Sequence, residues 1–206
     1  MKVAAILYDC GAGPATDALV TEFARRLRRA GFKLAGAVQS NIAVADRSRC
    51  AIILEDLATG ANTKASEDRG PLAQGCRLDA GALEDSVGLA AASLGPETDL
   101  VVVNRFGKRE TEGHGFRHVI ETAVLLGVPV LVALNRAHLE AWQAFVGDAP
   151  ILLPPDVRAL SDWCARMLTD RTAADAPLEG ALERSECASL SHPNSAVTAI
   201  HPRIWD

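Results

Sequence analysis

Two short segments carry the residue types from which an anion site is built. The first is Asp9-Cys10-Gly11-Ala12-Gly13-Pro14-Ala15-Thr16, a glycine loop between an apolar run at residues 2–8 and a helical stretch beginning at Asp17. Strand, glycine loop and helix N-terminus form a cradle in which backbone N–H groups face a phosphate. Gly11 and Gly13 permit close backbone approach or simply a tight turn, and Thr16 offers a ligand hydroxyl or a helix cap. The complete motif ends in Gly-Lys-Ser/Thr, whose lysine reaches the β- and γ-phosphates. This loop has no lysine, and Pro14 removes a backbone donor.

The second segment runs from Asn104 to Arg117 behind the apolar run Leu-Val-Val-Val. In a P-loop enzyme that strand ends in an acidic residue that holds Mg²⁺. Here it ends in Asn104, whose neutral amide anchors Mg²⁺ poorly. Arg105, Lys108 and Arg117 bring positive charge to the same region of a chain whose net charge is −5. A guanidinium grips an oxyanion with two parallel hydrogen bonds, and an ammonium acts as a point charge. The competing arrangement pairs the arginines with Glu110 and Glu112, which otherwise complement a helix dipole.

Other reactive side chains give weaker signals. Cys10 precedes a helix N-terminus, where a thiol pKa can fall. Asp9 suits a cation or a helix cap. His114 and His118 have the i, i+4 spacing of a helical metal pair but lack the acidic companion of H-E-x-x-H. Cys187, His192 and His201 match no zinc-ligand spacing. Trp142 and Trp163 lie in amphipathic stretches and read as packing residues.

The acidic balance argues against a nucleic-acid partner, which calls for a basic face. No signal-peptide pattern and no apolar run of about 18 residues is present, so no membrane insertion is expected and the location reads as cytoplasmic. The five scattered cysteines contain no C-x-x-C pair and read mostly as small buried hydrophobes.

Alternating apolar runs and helical patterns must position these residues. Strands are expected at 2–8, 32–38, 50–54, 99–104, 130–134 and 151–153, with an antiparallel edge at 63–66. Helices are expected at 17–30, 78–94 (Asp79 as N-cap), 110–126, 136–145 and 157–168. Residues 40–49 and 67–74 read as loops. The pattern predicts a three-layer α/β domain over residues 1–168, with a mainly parallel sheet of P-loop-NTPase-like topology. Runs 2–8, 99–104 and 130–134 should lie parallel and near one another, with both segments meeting at the carboxyl edge. Residues 169–206, interrupted by prolines and ending in Ile204-Trp205, read as an irregular tail.

A resemblance fits this reading. Glu55-Asp56-Leu57-Ala58-Thr59-Gly60, the stretch Gly75 to Leu83, and above all Asn104-Arg105-Phe106-Gly107-Lys108 with Glu110, Glu112-Gly113 and Gly115-Phe116-Arg117 resemble an uncharacterised bacterial family, a domain of unknown function encoded near molybdenum ABC-transporter genes. More remotely the chain is similar to small P-loop nucleoside triphosphatases, which carry Asp-Glu in place of Asn104-Arg105. The resemblance spans roughly residues 1–165. It implies a P-loop-like fold and a link to molybdenum metabolism, without an established activity.

Three functions follow as expectations. The first is a non-hydrolysing sensor that binds molybdate, another oxyanion, or the phosphate of a nucleotide or pterin through Gly11, Gly13, Thr16, Asn104, Arg105, Lys108 and Arg117. The second is an accessory protein of a molybdoenzyme or transporter component. The third is a triphosphatase in which Lys108 replaces the missing loop lysine.

Overall fold

A computed structural model describes residues 2–42, 51–67, 78–147 and 150–174. Seven strands form one sheet: β1 (Val3–Tyr8), β2 (Leu34–Ile42), β3 (Ala51–Asp56), β4 (Asn62–Lys64), β5 (Leu100–Phe106), β6 (Val130–Asn135) and β7 (Ile151–Leu153). Their order is β4-β3-β2-β5-β6-β1-β7. β2, β5, β6, β1 and β7 are mutually parallel, and β3 and β4 add an antiparallel edge. The parallel strands, numbered in chain order, read 5-1-4-3-2 across the sheet, the P-loop-NTPase-like arrangement the sequence predicts. β1, β6 and β5 are consecutive neighbours, as expected.

The central strands are apolar on both sides because helices cover both sides. On one face α1 (Gly13–Arg29) and α6 (Val157–Ala174) press Val20, Phe23, Leu27, Leu160 and Trp163 against Ile6, Val102 and Leu131. On the other, α2 (Ala80–Ser93), α4 (Arg117–Leu125) and α5 (Leu139–Val146) bury Leu83, Ile120 and Trp142 against Val101, Val103 and Val132. Asp79 caps α2 by accepting the Ala82 amide at 3.1 Å. Trp142 and Trp163 are fully buried packing residues.

Several element boundaries differ from the sequence expectation; α6 runs on to Ala174, six residues into the segment expected to be an irregular tail. β2 runs on through Ile42, because Gln39, Ser40, Asn41 and Ile42 pair with β3 residues although their side chains are mostly polar. α1 starts four residues early, at Gly13, since Pro14 is preorganised for a first helical turn. The helix expected over 110–126 is broken into α3 (Lys108–Thr111) and α4. Gly113 and Gly115, at φ 91° and 61°, reverse the chain between them. His114 therefore sits in the connection rather than on a helix face with His118.

Among the described residues no helix is long and apolar enough to cross a membrane. The tail after residue 174, with Cys187, His192 and His201, lies outside the described residues, as do Cys50, Cys76 and most of the loops expected at 40–49 and 67–74.

Candidate functional site at the carboxyl edge of the sheet

The glycine loop closes on itself. The Ala12 amide donates to the Asp9 carbonyl at 3.1 Å, and Gly11 takes the positive φ of 92° that this four-residue turn needs. The Thr16 amide and hydroxyl both donate to the Ala12 carbonyl, each at 3.0 Å. Thr16 is buried inside the first turn, so it is neither an N-cap nor turned outward. An α-helix start leaves four amides without an intrahelical acceptor. Ala12 has spent one of them and Pro14 lacks another, leaving Gly13 and Ala15. Asp9 pairs with Arg136 at 2.6 Å, and Cys10 is an exposed free thiol.

Asp17, on the next turn of α1, is the centre the sequence reading missed. Its side chain is 5% exposed. Arg105 donates to it twice, Nε to Oδ1 at 3.1 Å and Nη2 to Oδ2 at 2.5 Å. Asn104 Nδ2 donates to Oδ1 at 2.9 Å and Asn41 Nδ2 to Oδ2 at 3.3 Å. Four donors fill the lone-pair sites of one carboxylate. Three of them come from the adjacent β5 residues Asn104 and Arg105, an arrangement that needs a strand irregularity. The register of β5 on β6 slips between Val103 and Phe106, and both of those residues pack on the α2 face. The extra residue brings Asn104 and Arg105 together beside α1.

Arg105 lies against the glycine loop. A Cβ built on Gly13 would meet Arg105 Nη2 at 3.4 Å and the Tyr8 ring at 3.8 Å. Burial opposes the guanidinium charge, but the hydrogen bonds and charge of Asp17 outweigh it and hold Arg105 more firmly protonated. Tyr8, at the end of β1, has its hydroxyl pKa raised chiefly by burial, with Asn135 as a hydrogen-bond partner. The carboxyl ends of β1, β6, β5 and β2 thus meet in one polar network.

A cleft of about 450 Å³ opens beside it, between β2, β3, β5, α2 and α3. Leu54, Leu78, Leu83 and Phe116 form its apolar wall, and Gln39, Asn104, Arg105, Lys108 and Arg109 its polar side together with the carboxylates Glu110 and Glu112. Lys108 is 82% exposed and reaches Glu112 at 3.7 Å. Arg109 donates to Glu84 at 3.0 Å. Among the described residues Glu110 forms no salt bridge with an arginine. Its carboxylate accepts the Gly107 amide at 2.9 Å and the Phe116 amide at 3.1 Å, pinning both ends of the connection. Burial pushes its pKa up. A Cβ on Gly115 would come within 2.3 Å of this carboxylate, so the turn excludes larger residues.

Of the residues expected from sequence, Asn104, Arg105 and Lys108 share the cleft, and Gly13 lies close enough to Arg105 that an added Cβ would meet it. Arg117 lies elsewhere: it donates to Glu121 at 3.1 Å and stacks over Phe145 at 4.3 Å. Arg109 takes its place at the cleft. Among the described residues no group of three or more His, Cys, Asp or Glu could hold a metal ion.

The family described as "Protein of unknown function (DUF2478)" matches residues 3–163. Over 195 residues the chain is 34% identical to the "Molybdenum import ATP-binding protein ModC 2" of Bradyrhizobium diazoefficiens, covering 92% of this chain. The match spans about a fifth of that relative's length, 21%. No solved structure matches the chain.

Proposed function

The chain belongs to the DUF2478 family, and we propose that it is a non-hydrolysing binding protein of molybdenum metabolism, acting in the cytoplasm, that holds an oxyanion or a nucleotide at the carboxyl edge of its sheet. The observation that carries this reading is the clamp on Arg105. Asp17 engages Nε and Nη2 and so fixes the guanidinium of a residue that lines the cleft. Lys108 adds a second charge, tied among the described residues to Glu112 at the rim. Gly13 and Ala15 supply amides at the helix start. The lysine-free, proline-bearing loop and Asn104 at the strand end favour binding without phosphoryl transfer. The molybdenum link is carried by the import protein to which a fifth-length match exists.

Calorimetry of the full chain with molybdate, phosphate, ATP and GTP tests the reading. At least one should bind below about 1 mM, and both Arg105→Ala and the surface variant Lys108→Ala should weaken it about tenfold, near 1.4 kcal/mol. Absence of binding by all four would remove this reading.

A second reading is an accessory interaction module of a transporter component or molybdoenzyme. The relative's greater length favours it, since a homologous segment there is joined to further chain. Co-purification with a molybdenum-import ATP-binding protein, unchanged in Arg105→Ala, is its expected result.

A further inference from the structure

The orientation of three side-chain amides follows from one carboxylate. Ionised Asp17 only accepts hydrogen bonds. Asn104 and Asn41 must therefore turn their Nδ2 groups toward it. Asn41 Oδ1 then accepts from Gln39 Nε2 at 3.2 Å, which fixes Gln39 as well. Among the described residues, two acceptor oxygens of this set receive no donor, Gln39 Oε1 and Asn104 Oδ1. Asn104 is 4% exposed, and its Oδ1 has no donor among the described residues. Leaving a buried acceptor unpaired costs free energy comparable to a lost hydrogen bond. Gln39 and Asn104 both belong to the cleft that holds Arg105, Lys108 and the apolar wall.

From this arrangement we infer that the cleft takes an anionic heterocycle with an N–H-bearing edge, rather than a bare tetrahedral oxyanion. The amide oxygens receive the ring's N–H donors, Leu54, Leu83 and Phe116 cover its faces, and the cations hold its phosphate or carboxylate. A cleft of about 450 Å³ falls in the range of organic-ligand sites. The inference rests on the anion-binding reading above and narrows its ligand class.

Calorimetry on the full chain separates the two claims. The probes are guanosine 5′-monophosphate, 6-carboxypterin, ribose 5-phosphate, inorganic phosphate and molybdate. The two ring-bearing anions should bind at least tenfold more tightly than the other three. Gln39→Ala should weaken the ring-bearing anions severalfold and leave phosphate affinity unchanged, whereas Lys108→Ala should weaken every anion that binds. Phosphate, molybdate or ribose 5-phosphate binding as tightly as the ring-bearing anions would overturn the heterocycle assignment and leave the anion site standing. Failure of all five to bind would overturn both.

Discussion

Two aspartate–arginine pairs stand at the same edge of this sheet with nearly the same closest approach, although Arg105 grips its carboxylate at two points and Arg136 at one. Asp9 meets Arg136 at 2.6 Å, and Asp17 meets Arg105 at 2.5 Å. Their surroundings differ. Asp9 is 70% exposed and Arg136 56%, whereas Asp17 is 5% exposed and Arg105 41%. Water competes for both members of the first pair, and salt screens them. Asp17 is buried, and its donors among the described residues are Asn41, Asn104 and Arg105 of the candidate site. One pair decorates the rim, and the other assembles four residues from α1, β2 and β5.

Removing each carboxylate should separate the pairs most clearly. Asp17→Ala strands a half-buried guanidinium and two asparagine amides, at a cost of about 3 kcal/mol read from the urea midpoint. Asp9→Ala should leave that midpoint within experimental scatter. An equal loss in both variants would break the contrast.

A double-mutant cycle sharpens it. Asp17→Asn with Arg105→Ala should show coupling of about 1 kcal/mol or more. Asp9→Asn with Arg136→Ala should show none that can be resolved, and 1 M salt should leave only the Asp17 coupling.

The smallest effect is in pH dependence, and it has opposite signs at an exposed and a buried carboxylate. The Arg136 hydrogen bond and charge lower the Asp9 pKa from 3.8, so its stabilisation is present above that value and fades as pH falls through the folded pKa. Burial raises the Glu110 pKa from 4.5, so its contribution is fully present below 4.5 and is lost as pH rises through the folded pKa. Carboxyl-carbon NMR titration should find Asp9 below 3.8 and Glu110 above 4.5.

The regular parts of the fold were legible because their signals are local. Leu100–Val103 and Val130–Leu134 are unbroken apolar runs, which only a doubly covered strand requires. The site was legible in part. Asn104, Arg105 and Lys108 were found from their place at a strand end. Asp17 was hidden, since its partners lie 87 and 88 residues away and depend on a slip in β5 register that no residue pattern announces. Gln39 and Asn41 were hidden because exposed, polar strand ends read as loop. Arg117 drew attention by charge alone, and its stacking on Phe145 depends on where α5 packs.

The most direct test of the account is one titration read two ways. GTP with Mg²⁺ is added to the full chain, with heat measured by calorimetry and phosphate release measured in the same solution. The account predicts binding that Lys108→Ala weakens, with phosphate release at background. Turnover of about 1 s⁻¹ or more, abolished by Lys108→Ala, would contradict it and make the protein a triphosphatase with a displaced lysine.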